Sequence, residues 1–127
     1  MESSKNKILL ITEDEPALRY VLRDKLSNIG FKVFEAADGE EGLAVALKER
    51  PDLILLDLLM PKMDGISMLK KLREDEWGKK VKVLVLTNLE DTNKISEAIE
   101  HGAEEYLVKS DWTIESIVSK VREKFGI

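Results

Sequence analysis

Cysteine is absent from this 127-residue chain, which removes disulfides, thiolate metal sites and cysteine nucleophiles together. Apolar runs are short, and none approaches the roughly 20 residues that a membrane helix needs. The opening MESSKNK lacks the apolar centre of a signal peptide, so a cytoplasmic location without a membrane partner is expected. Excess positive charge is missing too. Lysine and arginine number 20 against 25 acids, a net charge of −5, and the bases are spread among the acids rather than gathered in a stripe. That balance argues against nucleic acid as a principal ligand. The sequence has no internal repeat, no low-complexity segment and no linker. Histidine occurs once, as His101 beside Gly102 at an expected helix end, where a basic side chain suits the helix dipole better than a phosphate-carrying role. Residues 1–127 are expected to make one domain with a core over about 7–125.

Only three prolines are present, and each marks a boundary. Lys7–Thr12 (KILLIT) is a continuous apolar run, read as strand one. Pro16 suits the first turn of the helix that follows, in which Leu18, Val21, Leu22, Leu26 and Ile29 recur at helical spacing before Gly30 closes it. Phe31–Ala36 reads as strand two. Asp38–Glu41 has the form of a capping box for a second helix with Leu43, Ala46 and Leu47 on its apolar face. Pro51 ends that helix, and Leu53–Asp57 is a third strand, apolar up to its final acid. Beyond Pro61 and the turn dipeptide Asp64-Gly65, Met68, Leu69 and Leu72 predict a third helix ending near Trp77-Gly78. Val81–Leu86 predicts strand four. Asp91 caps a helix carrying Ile95, Ala98 and Ile99, and Glu105–Val108 predicts strand five. Thr113 caps the last helix, whose stripe is Ile114, Ile117, Val118, Val121 and Phe125. Apolar strands alternating with amphipathic helices predict an α/β fold, a five-stranded parallel sheet with five helices on both faces.

The polar residues collect at the strand ends. Strand one delivers Glu13 and Asp14, strand three Asp57, strand four Thr87 and strand five Lys109. In a parallel sheet these carboxyl ends share one edge, where such folds bind ligands. Each residue alone has a plainer role: Glu13 and Asp14 as charge at a helix start, Thr87 as a loop residue, Lys109 as a solvated cation. Together they make a site. Three carboxylates within a few Å repel unless a cation intervenes, and Mg²⁺ suits one or two carboxylates with waters and phosphate oxygens. One lysine and one hydroxyl remain as donors. The set describes a pocket that holds a phosphoryl group on a carboxylate, an aspartate acting as nucleophile.

These residues are also the ones through which the chain, from about Lys7 to Phe125, resembles the receiver domains of two-component response regulators. The matching segments are ITEDEP, LLDLLMPKMDG, VLVLTN and GAEEYLVKS. The resemblance implies the flavodoxin-like sheet with strand order 2-1-3-4-5. It implies that Asp57 is the phosphoacceptor, served by a histidine kinase or a histidine phosphotransfer protein. Asp14, Asp57 and the backbone carbonyl of Leu59 would bind Mg²⁺, with Glu13 reaching the ion through water. Lys109 would pair with the phosphoryl oxygens, Thr87 would move to hydrogen-bond them, and Tyr106 would turn inward behind it as an aromatic switch. Output would pass to another protein through helix four, strand five and helix five, or by phosphorelay to a second histidine protein, from a stand-alone monomer or weak dimer that turns over no external substrate.

The chain departs from the family pattern at three places. Glu13 stands where two aspartates often follow strand one, Ser110 follows the lysine where proline with a cis bond is usual, and Asn88 replaces a small residue. A cis bond before serine costs about 2.5–4 kcal/mol, so a trans bond is expected. The resemblance implies that Leu59 and Leu89 stand at the two positions closest to the path of a hydrolytic water; neither side chain can hold one, so a long-lived phosphorylated state is expected. Three rival readings fit less well. An aspartate-nucleophile phosphatase wants a second acid where Leu59 stands, a flavin carrier wants a Ser/Thr/Gly-rich loop where three acids stand, and a constitutive binding module has no use for the acid set.

Overall fold

Side chains alternate across a strand, so a run apolar at every position needs cover on both faces. In the computed structural model, which describes residues 7–88 and 92–127, that cover is supplied by helices. The described residues form β1 (Ile8–Thr12), α1 (Pro16–Ile29), β2 (Lys32–Ala36), α2 (Gly39–Glu49), β3 (Leu53–Leu56), α3 (Gly65–Arg73), β4 (Lys82–Thr87), α4 (Thr92–Glu100), β5 (Glu105–Val108) and α5 (Ile114–Lys124), with a 3-10 turn at Lys109–Asp111. The strands pair in parallel in the order β2-β1-β3-β4-β5, as expected. Leu9, Ile11, Leu53, Leu55, Leu84 and Leu86 face one way, onto Leu22 and Leu26 of α1 and Ile117 and Val121 of α5. Leu10, Ile54, Leu56, Val83 and Val85 face the other, onto Ala46 of α2, Met68, Leu69 and Leu72 of α3 and Ala98 of α4. Two cores, one on each face, thus hold the central strands and fix where their ends lie.

The helix starts follow their capping chemistry. Asp38 accepts a hydrogen bond from the Glu41 amide at 2.8 Å, but Glu41 Oε1 accepts from Ala37 N–H rather than from Asp38. The expected box therefore closes one residue earlier. Thr113 and Ser116 do form a reciprocal box at α5. Asp91, expected to cap α4, lies outside the described residues, as does Leu89. The Lys109–Ser110 bond is trans.

Helix α3 stops four residues short of the expected Trp77-Gly78. The Asp75 amide donates to the Leu72 carbonyl at 3.1 Å, and Asp75 Oδ2 accepts from the Gly78 amide at 2.8 Å. An aspartate that bonds nearby backbone in this way competes with the helix ladder. Gly78 is required at this turn, because a Cβ there would stand 2.1 Å from the Leu72 carbonyl oxygen. Trp77 packs back onto the core that α2, α3 and α4 share, and Trp112 onto the other. Arg73, the last residue of α3, donates to the carbonyls of Gly78, Val81, His101 and Gly102 at 2.7–3.0 Å, tying this turn to the end of α4. At the β5 edge, Glu105 is gripped from α5 by Lys124 at 2.9 Å and Lys120 at 3.2 Å. Hydrogen bonding from Lys124 first, then Lys120, holds the Glu105 carboxyl below its ordinary value. Among the described residues no helix is long and apolar enough to cross a membrane.

Candidate functional site

The ladder ends as the chain passes from β1 and β3 into loops, and the acids stand at that point. Glu13 is one residue past β1; its amide still donates to Ala36 O at 2.9 Å. Asp57 is one residue past β3, its amide donating to Thr12 O at 3.0 Å. Both side chains turn inward, leaving Glu13 2% and Asp57 3% exposed. Such burial of two charged groups is costly without a partner. The partner is Lys109, which follows β5 and reaches across the end of β4. Its Nζ lies 2.8 Å from the Glu13 carboxylate and 3.0 Å from Asp57 Oδ2. Two backbone donors complete the pair: the Leu59 amide gives 3.1 Å to Asp57 Oδ1 and the Glu15 amide 3.0 Å to Glu13 Oε2.

Asp14 is the exposed member of the set. One carboxylate oxygen from each of Glu13, Asp14 and Asp57 falls within 4.8 Å of the others. Asp14, Asp57, Leu59, Asn88 and Lys109 line an open cleft of about 450 Å³; Glu13 sits behind it, under the lysine. Thr87 closes β4 between the strands that carry Asp57 and Lys109, fully buried and opposite Val108. Tyr106 is paired with Val85 in the sheet, three residues before Lys109, and is 43% exposed, with no hydrogen bond or ion pair to the acids among the described residues. The structure therefore brings together Glu13, Asp14, Asp57 and Lys109, sets Leu59 and Thr87 beside them, and leaves Tyr106 outside. Glu15, 3.7 Å from Lys109, and Arg19, 2.8 Å from the Glu13 carbonyl, also reach the cluster; the sequence reading gave neither a role.

The charges are unevenly balanced. Burial pushes the Glu13 carboxyl up to about 7, the hydrogen bond from Lys109 opposing it and the Asp57 charge adding to it. Burial alone would lower the Lys109 ammonium, but bonding to Glu13 and the charges of Asp57 and Glu13 outweigh it and hold it above its ordinary value. Two buried carboxylates share one ammonium while a third carboxylate opens to solvent. That is a site one cation short. Its donors are all oxygens, the chemistry a hard divalent ion such as Mg²⁺ requires, so the residues fit that ion.

A buried carboxylate beside a fixed ammonium, at the carboxyl edge of a sheet ordered 2-1-3-4-5, defines a flavodoxin-like α/β protein with an acidic site at the edge where such sheets bind ligands. The family model described as the response regulator receiver domain matches residues 9–122. The chain belongs to that family: it is a receiver domain of two-component response regulators. It is 43% identical over 105 residues to the probable transcriptional regulator ycf27 of Porphyridium aerugineum, covering 83% of this chain and 42% of the relative. It spans less than half the length of such curated relatives. Chemotaxis protein CheY4 of Vibrio cholerae superposes with a TM-score of 0.83 at 32% identity, over 92% of this chain and 97% of that one. A CheX–CheY–BeF3–Mg complex from Borrelia burgdorferi matches with a TM-score of 0.83 at 26% identity, over 97% and 92%. The fold is that of signalling switches, not of a known turnover enzyme.

Proposed function

We propose that this chain is a phosphorylation-controlled switch in which Asp57 accepts a phosphoryl group from a histidine kinase or a histidine phosphotransfer protein. The observation that carries this reading is the single Lys109 ammonium bridging two buried carboxylates, with a third carboxylate beside them at the mouth of the cleft. An Asp57 oxygen attacks phosphorus in line, the phosphorus–nitrogen bond to the donor imidazole breaks, and that nitrogen takes up a proton. Asp14, Asp57 and the Leu59 carbonyl would hold Mg²⁺, with Glu13 acting through water. The bound ion would supply positive charge to the phosphoryl oxygens. The Borrelia neighbour, recorded with beryllofluoride and magnesium, supports that ion.

Lys109 then exchanges one carboxylate oxygen for a phosphoryl oxygen, and Thr87, at the end of the neighbouring strand, supplies a hydroxyl. Added charge drawing in donors is how phosphorylation biases an element with two packings. Here that element is β5 with Tyr106, whose exposed ring would turn inward behind Thr87. Output goes to a protein partner that meets α4, β5 and α5, in the cytoplasm, from a monomer or weak dimer. The relatives named as transcriptional regulators join such a receiver to further chain, and their DNA-related output is theirs.

Acetyl phosphate with Mg²⁺ tests the reading. Intact mass should show one added phosphoryl group on the wild type, none in EDTA and none on Asp57→Asn. Full labelling of Asp57→Asn would refute the assignment.

A further inference from the structure

We propose that Arg19 is a positioning residue for the metal-binding acids, acting through the backbone carbonyl of Glu13; the proposal rests on the Mg²⁺ site assigned above. Glu13 lies beyond the last ladder pair of β1, which joins Thr12 to Ala36. Its amide is held by Ala36 O, but its carbonyl has left the sheet. Arg19, in the first turn and a half of α1, reaches back and donates from its terminal nitrogen to that carbonyl at 2.8 Å. A peptide unit is planar, so fixing the Glu13 carbonyl fixes the plane that carries the Asp14 nitrogen and directs the Asp14 Cα.

Asp14 needs such support. Glu13 and Asp57 are buried and bound to Lys109 and to backbone amides. Asp14 is exposed, and among the described residues its carboxylate makes no hydrogen bond or ion pair. Its position is therefore set by the backbone alone. The arginine is itself held: Nε meets Glu35 Oε1 at 3.1 Å, its side chain is 12% exposed, and its guanidinium lies 5.1 Å from the centre of the Tyr20 ring. A guanidinium can fork between a carboxylate and a carbonyl in this way, whereas a lysine ammonium lacks the planar fork. Arg23 supplies the contrast. It bonds the other Glu35 oxygen at 3.1 Å and lies 5.0 Å from the same ring, but among the described residues it makes no hydrogen bond or ion pair with Glu13, Asp14 or Glu15.

The experiment titrates Mg²⁺ into the full chain by calorimetry, with urea denaturation and the Asp14 amide resonance followed in parallel. Arg19→Gln should weaken Mg²⁺ binding about tenfold or more, the usual consequence of losing an outer-shell partner. It should also shift the Asp14 amide in the metal-free protein. Arg19→Lys should recover only part of the affinity. Arg23→Gln should bind Mg²⁺ within about twofold of the wild type whatever stability it loses, since it lacks the carbonyl contact. Glu35→Gln keeps the guanidinium but weakens its anchor, and should fall between; it decides the matter if Arg19→Gln does not fold. Wild-type affinity and an unshifted Asp14 amide in the Arg19 and Glu35 variants would overturn the proposal while leaving the Mg²⁺ site intact. A wild type that binds no Mg²⁺ would overturn the site and this proposal together.

Discussion

Gly65 allows the sharpest test of how the phosphoacceptor is placed. It is the first residue of α3, with its amide 3.1 Å from the Leu58 carbonyl. A Cβ at this position would stand 2.4 Å from the Asp57 carbonyl oxygen and 2.7 Å from Leu58 Cα, where ordinary contact begins at 3.4 Å. Gly65→Ala therefore asks for roughly 1 Å of separation between the helix start and the turn after β3. The helix cannot easily give way, because Met68, Leu69 and Leu72 are fully buried against the sheet. The turn must move, and Asp57 and Leu59 move with it.

Overpacking costs about 1–3 kcal/mol and a weakened hydrogen bond about 1 more, while alanine returns about 0.5–1 over glycine in a helix. The expected loss is about 2 kcal/mol in urea denaturation. A displacement of 1 Å at a reacting group lowers its rate by about a hundredfold, so labelling by acetyl phosphate should fall far more than stability requires. Gly78→Ala is the control. Its Cβ would lie 2.1 Å from the Leu72 carbonyl oxygen, at the other end of α3. It should lose comparable stability and label within a few-fold of the wild type. A Gly65→Ala protein that keeps wild-type stability and labels at the wild-type rate would refute this reasoning.

Lys109→Ala should leave Mg²⁺ binding unchanged or tighter, since a neighbouring positive charge has gone, yet lose phosphorylation or its downstream response. Without Mg²⁺ it should also be about 3 kcal/mol less stable in urea, because two buried carboxylates lose their cation, and added Mg²⁺ should reverse part of that loss. Normal switching in this variant would make Lys109 a surface charge only. The Glu13 carboxyl, raised from its ordinary 4.5 to about 7, keeps its proton up to near neutrality, and a divalent ion favours the ionised form. Mg²⁺ affinity should therefore rise about tenfold from pH 6 to pH 8 and flatten above, releasing a proton as the ion binds; equal affinity at both pH values would show that Glu13 does not titrate with the ion.

Much of this was legible because it depends on residue type and short spacing. Uninterrupted apolar runs such as Leu53–Leu56 announced strands covered on both faces, and the acids, threonine and lysine at their ends announced one shared edge. What escaped was set through space or by backbone atoms. Lys109 meets Glu13 from 96 residues away and Asp57 from 52, so its bridging of both could not be read from any local pattern. The contact of Arg19 with Glu13 ends on a carbonyl, which every residue has. Helix α3 ends before the expected Trp77-Gly78 because the aspartate turn at Asp75 competes with the helix for the backbone. Val21, Leu47 and Ile99 fit helical spacing but are exposed, since a helix lying on a sheet buries a narrower stripe than its apolar face offers.

The lysines that fold back from α5 onto Glu105 bear on how β5 can be used. An open sheet edge ordinarily invites another chain to add a strand, through its unpaired amides and carbonyls. Here the border is fenced by fixed charges of both signs, and an incoming strand would have to strip Lys120 and Lys124 from Glu105 before it could register. Backbone zippering is discouraged there, while Tyr106 of β5 and Ile99 of α4 remain exposed. Main-chain pairing at this border is opposed by that ion-paired charge, whereas contact through side chains is not.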